Sequence, residues 1–414
     1  MASIKIDKEF FPIYGLVFAI LALNTFGQLY NSIQSIAFLN LLIFFGSAFF
    51  KQYKKIILVT IVLAIFLNQI NIFLVIFSGF EFNNSDINTI VHVASQKLLN
   101  GENPYATDFH GTEMEQYLKL YDNDWQRLGY NYFAIDTFAY FPGIFLLSIP
   151  AHILFGQLSI YYLIVILIIG MIFFASYLSK NINFAIFALA LLLLNPATNN
   201  FTNAQEIIEI ASYFFLLGFS VFTLKNKEIE AGIFLGAFFT LRQFSILAFP
   251  FIALFLLKNK KIKILITALI VSTSIILPFI VWSPADLFSD TISRIFCNSS
   301  NCYPLLVKFP SVFEVLTRFG INAEKSSELF SLISFSAIIG ITLLIFSKYA
   351  AETKISLSKA MFFSGITIFI AIFFSKIGSP NYYQYATFFM SLALVAHAYE
   401  TNTGLNKSHS IFFN

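Results

Sequence analysis

Long apolar runs alternate with short polar interruptions along this chain, and most of the runs have membrane length. They lie near 10–30, 33–50, 56–79, 138–156, 159–178, 183–195, 206–224, 230–257, 264–282, 330–347, 357–375 and 381–399. A helix needs roughly 20 apolar residues to cross a hydrocarbon core. Only a helix satisfies its own backbone in lipid, so the pattern predicts an all-α polytopic bundle of about twelve spans. The interruption after the third run is of another kind. Ile87, Ile90, Val91, Ala94 and Leu98 recur at helical spacing over 86–100, with His92, Ser95 and Gln96 elsewhere around the helix. Ser85 is a candidate N-cap and Gly101 a candidate stop, so an amphipathic helix lying on the membrane surface is expected. Met114, Tyr117, Leu118 and Tyr121 predict a second short helix over 112–121. In the later loop, Ser311-Val312-Phe313-Glu314 has the form of a capping box.

Composition agrees with lipid as the solvent. Hydrophobic residues make up 58% of the chain and charged residues 11%, against roughly 25% charged in soluble proteins. The net charge of +3 and the lack of any basic, aromatic-interleaved arm give no case for nucleic acid. The opening MASIKIDKEF enters its apolar run without a small-residue cleavage site, so the first span reads as retained.

Charge placement orients the bundle. Lys51, Lys54 and Lys55, the cluster Lys258, Lys260, Lys261 and Lys263, and Lys348 and Lys354 are all expected on the cytoplasmic side. With both termini cytoplasmic, residues 80–137 face outward, and their nine acids against three bases suit an external face. Strict alternation then puts Lys225 and Lys227 outside, against the rule. Either one element between 138 and 224 does not cross, or 230–257 is a hairpin bending near Arg242. The organisation is one integral-membrane domain over 1–414. It divides into an external catalytic loop (80–137), a helix module (138–282), a second external loop (283–329) and C-terminal helices (330–399). Cys297 and Cys302 flank a tight polar turn where a disulfide can form if the loop is external.

No Walker sequence, HExxH, GxSxG or zinc-ligand spacing occurs, so no cofactor and no metal is implied. The candidate chemistry rests on a few polar residues. Asp86 opens the 86–100 helix, where an anion gains ~0.3–1 kcal/mol from the helix dipole, and that alone can explain it. Arg242 lies deep in an apolar segment, where a charge costs ~2.5–3.5 kcal/mol and usually faces a cavity or an anion. It can contact a phosphate, or pair with Glu206 or Glu209.

The stretch Ser85-Asp86, Ala94, Leu98-Leu99 and Gly101-Glu102-Asn103-Pro104-Tyr105 resembles the first external loop of GT-C membrane glycosyltransferases. It is most similar to glycosyltransferase family 87, the polyprenyl-phosphate-mannose-dependent group. Tyr140-Phe141-Pro142, Asn195-Pro196 through Asn203-Ala204-Gln205, and Ala231-Gly232 through Leu241-Arg242-Gln243 with Pro250 fit the same order. Ala204 and Phe141 depart from the glycine and proline common there. The resemblance covers about residues 80 to 260 and implies inverting transfer of a hexose, mannose foremost. The donor would be a polyprenyl-phosphate sugar, the acceptor a hydroxyl of a glycan or glycolipid, and the site the extracytoplasmic face of the plasma (inner) membrane.

It further implies Asp86 as catalytic base, with Arg242, Gln243 and Lys376 as contacts to the donor phosphate. Gln205, Glu206, Tyr140, His92 and Tyr105 are candidate substrate contacts. Asn103-Pro104-Tyr105 also reads as an anchor at headgroup level that holds the 86–100 helix against the bundle. Asp108 and His110 are weaker candidates. Two other functions fit the composition. A lipid-linked sugar flippase or transporter should show internal repeats and midplane polar residues in both halves. An O-antigen ligase or polymerase should centre on a large late loop, for which 283–329 is the candidate.

Overall fold

A computed structural model describes residues 86–121, 135–178, 207–293, 327–352, 355–375 and 380–402, with the single positions 312 and 319. The described residues form helices and no strand. In chain order these are α1 (Asp86–Leu99), α2 (Glu113–Tyr121), α3 (Gly143–Phe155), α4 (Ser159–Leu178), α5 (Ile207–Leu224), α6 (Glu228–Phe239) and α7 (Phe249–Lys258). They continue with α8 (Ile262–Trp282), α9 (Pro284–Phe288), α10 (Ser327–Ala351), α11 (Leu357–Phe374) and α12 (Pro380–Asn402). The stretches Gly143–Phe174, Ile207–Leu224, Ile262–Trp282 and Leu357–Phe374 are long and apolar enough to cross a membrane. The protein is therefore membrane-embedded. The runs near 10–30, 33–50, 56–79 and 183–195, Ser85, Cys297, Cys302 and all of Ser311–Glu314 but Val312 fall outside the described residues.

Among the described residues the helices match the apolar runs 159–178, 206–224, 264–282, 330–347, 357–375 and 381–399 to within a few residues, but two further runs behave differently from simple crossings. The first is 230–257. After α6 the backbone leaves the helix at Thr240 and extends at Arg242 (φ −147°, ψ 145°), then resumes as a 3-10 turn (Gln243–Ala248) and α7. The two feet of this segment meet. Lys261 Nζ donates to the carbonyl of Thr223 at 2.9 Å and to Asn226 Oδ1 at 3.0 Å. The segment is thus a hairpin that returns to its starting end, with Arg242 at the tip. At 1.5 Å per residue the 12 residues of α6 reach about 18 Å. Non-helical backbone at such depth needs partners, and the Thr240 carbonyl finds one in the Gly143 amide at 2.9 Å.

The second is 138–156. Gly143, at the start of α3, sits against the hairpin tip. His152, near its end, meets His92 of α1, which also meets Ser159 at the start of α4. Both ends of α3 therefore attach to one end of the bundle, and the chain turns at Gly156 (φ 56°) before α4 runs to the other end. The outer face of α3 exposes Ile153, Leu154 and Phe155. The run from Gly143 to Phe174 is one apolar stretch by hydropathy, but α4 supplies the crossing.

The bundle consequently has two distinct ends. One gathers Lys225, Lys227, Lys258 and Lys261 with the end of α10 and the start of α11: Lys258 Nζ donates to the Ala350 carbonyl at 2.6 Å, and Asn259 Nδ2 to the Ile355 carbonyl at 2.8 Å. The other end gathers α1, α2, α3, the hairpin tip and the start of α5. Between them α6 lies close along α8. A Cβ on Gly232 would stand 2.5 Å from Thr267 Cβ, and one on Gly236 2.6 Å from the Ala268 carbonyl oxygen, so only glycine permits this approach. Tyr213 of α5 stacks on Phe388 of α12 with ring centroids 4.1 Å apart, within a continuous apolar core.

Candidate functional site

The 86–99 helix ends as its sequence predicts. Gly101 takes φ 81°, and the amides of Gly101 and Glu102 close on the carbonyls of Leu98 and Lys97. Its setting differs from a surface helix, because it is covered nearly all round. Ile87, Ile90, Val91, Val93 and Ala94 are buried, and so are Asn88, His92 and Ser95. These polar side chains can be enclosed because each has a distant partner. Ser95 Oγ lies 2.5 Å from Ser148 Oγ of α3, and Asn88 Oδ1 accepts from the Ile207 amide at 2.9 Å. That last bond joins the first turns of α1 and α5. Asp86, partly exposed, thus stands at the mouth of the helix, one residue pair from a fixed contact to α5.

Two residues further along α5, Glu209 is buried and paired with Arg242 of the hairpin tip through Oε1 and Nη1. Both residues are almost fully buried, with Arg242 1% exposed. Aromatic faces complete the enclosure. The guanidinium carbon lies 4.2 Å from the ring centroid of Tyr382, 5.3 Å from Tyr385, 5.7 Å from Tyr140 and 6.0 Å from Phe244, all within cation–π range. Nη2 of Arg242 has no hydrogen-bond partner among the described residues. Of the two sequence readings of Arg242, the pair with Glu209 is the contact present.

The neighbouring Gln243 is occupied differently from a phosphate ligand. Its side-chain amide donates to the Ala139 carbonyl and, at 2.9 Å, to the Thr291 carbonyl, so it ties the first loop to the turn after α9. Asp290 in that turn is buried and accepts from the Phe138 amide at 2.9 Å. Tyr105 points inward instead of anchoring at headgroup level. It is 4% exposed, packs edge-on against Phe138 and Phe279, and its hydroxyl donates to the Tyr140 carbonyl at 2.7 Å. An apolar aromatic cluster outcompetes the interface for this ring. Burial, then the charge of Asp290, pushes the Tyr105 phenol up. Within the Asn-Pro-Tyr unit Asn103 Oδ1 accepts from the Tyr105 amide at 3.1 Å, and the Tyr105 ring, set between Phe145 and Phe279, joins the chain after α1 to α3 and α8.

His92 forms a separate polar knot one turn after Asn88 on α1. Gln96 Nε2 lies 3.0 Å from its Nε2, and an amide nitrogen only donates, so with this amide orientation the imidazole proton sits on Nδ1. Nδ1 in turn lies 3.2 Å from Ser159 Oγ and 3.3 Å from His152 Nδ1. Burial, and then His152, push the His92 imidazole down to about 4.

No family model, curated protein or solved structure matches this chain. The site therefore has to be weighed on its geometry.

That geometry brings Arg242 and Tyr140 together by the first turn of α5, to which Asn88 ties the turn of α1 that carries Asp86, while His92 and Tyr105 are enclosed in structural contacts. Gln205, Glu206 and Lys376 lie outside the described residues. His110 and Asp108 sit in an exposed turn, where Asp108 Oδ1 accepts from the His110 amide at 3.1 Å. Among the described residues no group of three or more His, Cys, Asp or Glu is placed to hold a metal. Sequence reasoning missed Asn88, Asp290, Tyr382 and Tyr385. The only trace of the tyrosines was the cluster Asn381-Tyr382-Tyr383 at the start of an apolar run.

Proposed function

We propose that this protein is an inverting membrane glycosyltransferase of the GT-C type, transferring a hexose from a polyprenyl-phosphate donor to a hydroxyl acceptor. The observation that carries the reading is the junction of α1, α5 and the hairpin tip. Asn88 joins the first turn of α1, which opens on the partly exposed carboxylate of Asp86, to the first turn of α5, whose Glu209 pairs with a guanidinium buried among tyrosine faces. The two groups suit the two ends of one displacement.

In that reaction the acceptor oxygen attacks the anomeric carbon while Asp86 takes its proton. The bond from the anomeric carbon to the phosphate oxygen breaks, and the polyprenyl phosphate leaves with the bonding electrons. A positioned carboxylate is needed because a sugar hydroxyl is a poor nucleophile. The charge developing on the leaving phosphate calls for a fixed cation away from water, the role assigned to Arg242. The lysine-bearing end is cytoplasmic in this reading, which puts Asp86 on the extracytoplasmic side.

The test is transfer of radiolabel from a polyprenyl-phosphate hexose by purified protein. Asp86→Asn is expected to lower the rate about 10²–10⁴-fold with folding unchanged. Full activity in that variant removes Asp86 as the base, and absence of transfer by the wild-type chain across hexose donors removes the reading.

A further inference from the structure

The turn after α5 carries two lysines whose side chains the fold does not need. Lys258 and Lys261 hydrogen-bond carbonyl oxygens at this end of the bundle. Lys225 and Lys227 donate no side-chain hydrogen bond among the described residues; their contacts are with ring faces and one exposed acid. The turn itself is fixed. Asn226 is left-handed (φ 55°), the Lys227 amide donates to the Phe222 carbonyl at 2.8 Å, and Lys261 Nζ holds Asn226 Oδ1 at 3.0 Å.

This backbone delivers both ammonium groups to one ring of α4. Lys225 Nζ lies 5.4 Å from the Tyr177 centroid and Lys227 Nζ 5.9 Å. Lys225 also lies 5.5 Å from the Tyr399 centroid, and Lys227 6.0 Å from that of Phe222. A ring face attracts an ammonium but leaves its three N–H donors unused. Lys227 approaches Glu230 at 4.0 Å, an exposed pair of little strength. Lys225 meets no carboxylate among the described residues. The sequence directly after α4 and α12, over 179–205 and 403–414, contains Lys180 and Lys407 and no Asp or Glu.

Tyr177 is also the last residue of an apolar stripe. Ile166, Ile169, Phe173 and Tyr177 recur on one face of α4, and all four are exposed, Phe173 by 65%. The rings of Phe173 and Tyr177 stack with centroids 6.3 Å apart. From Ile166 to Tyr177 the stripe rises about 16 Å, the depth of one leaflet of a hydrocarbon core about 30 Å thick.

We propose that this corner is a seat for one anionic phospholipid of the leaflet at the lysine end. Its phosphate accepts from Lys225 and Lys227, and an acyl chain lies along Ile166, Ile169 and Phe173. The occupant follows from two features on one helix face. An exposed apolar stripe of this depth takes a lipid chain of any kind. Two lysines over its terminal ring favour a negatively charged headgroup, which attracts basic side chains where a zwitterionic one does not. The seat lies at the end of the bundle opposite Asp86 and Arg242, and it does not depend on the glycosyltransferase reading.

The experiment is native mass spectrometry of the purified, delipidated full chain, titrated with dioleoyl phosphatidylglycerol and separately with dioleoyl phosphatidylcholine. The wild-type chain is expected to fill a saturable first site with phosphatidylglycerol about tenfold more tightly than with phosphatidylcholine. Lys225→Gln with Lys227→Gln is expected to bring that ratio to within about twofold. Lys263→Gln with Lys348→Gln removes the same charge from exposed positions at the same end and should leave the ratio intact. Phe173→Ser should weaken both lipids. Wild-type protein that shows no preference overturns the seat, and a dimer in the same spectrum then assigns the stripe to a second copy. An equal loss of preference in the Lys263 and Lys348 pair overturns it in favour of general surface charge. Unchanged affinities in Phe173→Ser overturn the placement of the chain. Displacement of the lipid by equimolar glycerophosphoglycerol makes the site one for a free phosphate and overturns the lipid as occupant.

Discussion

The two ends of this bundle use charge in opposite ways. At the lysine end, charged side chains close helix termini. Lys261 caps the end of α5 and Lys258 the end of α10, while Glu400 accepts from the Leu357 amide at 3.0 Å and Ser358 Oγ at 2.9 Å at the start of α11. Each of these charges meets a backbone group or short side chain that folding left over, and its position follows from where helices stop. At the α1 end, charged and polar side chains meet one another in the interior: Arg242 with Glu209, and His92 with His152. Buried charge of the second kind gives little net stability, because desolvation offsets most of the attraction. Its concentration at one end marks that end as the place where the fold serves something besides its own stability.

The sharpest test of this contrast removes one half of the buried pair. Arg242→Ala leaves Glu209 in an apolar site without its cation and is expected to cost about 3–5 kcal/mol in denaturant unfolding in detergent. Replacing both residues by apolar ones, Arg242→Met with Glu209→Leu, should recover most of it. If the single variant unfolds like the wild type, the pair is not buried as described.

The second test is pH. The folded-state value for His92, about 4, lies below its ordinary value of about 6.5. Between these two, the unfolded chain binds more protons than the folded one, so stability is complete above about pH 6.5 and falls as pH drops toward 4. The loss should approach ~3 kcal/mol. His92→Gln should flatten the unfolding midpoint against pH over this window, and an unaltered profile would remove the His92 knot as its source.

The smallest effect belongs to the lysine end. Lys261→Met removes two hydrogen bonds at the surface and should cost only about 0.5–1.5 kcal/mol. A cost matching that of Arg242→Ala would erase the distinction between the two ends.

Much of this architecture was legible in the sequence, for a physical reason. Helix lengths follow from apolar run length, and the runs near 159–178, 206–224, 264–282, 330–347, 357–375 and 381–399 each correspond to one helix within a few residues, because lipid leaves the backbone no other solution. Gly101 was readable as a stop because few other residues accept its φ of 81°. The depth of a helix was not readable. The 143–155 segment has the hydropathy of a span, and only its contacts at Thr240 and His92 keep it at one end. The hairpin break at Thr240–Arg242 contains no glycine or proline, and its one trace was the conflict over Lys225 and Lys227. The burial of α1 was invisible for a similar reason. Ser148, His152, Ser159 and Ile207, which satisfy its polar side, lie 53 to 119 residues away along the chain. The glycosyltransferase reading of Asp86 and Arg242 came from the motif resemblance, and the structure adds to it the Asn88 bond that ties the first turn of α1 to the first turn of α5, where Glu209 pairs with Arg242.

The hairpin and α3 together hide from the simplest bookkeeping of a membrane protein. Counting α3 as one crossing errs by one, and counting 228–258 as a single crossing errs by one again. The two miscounts cancel by Lys258, so every reporter placed from there onward gives the same side under the wrong count and the right one. The turn Lys225-Asn226-Lys227 lies between the two errors, so a reporter placed there changes sides between the two counts.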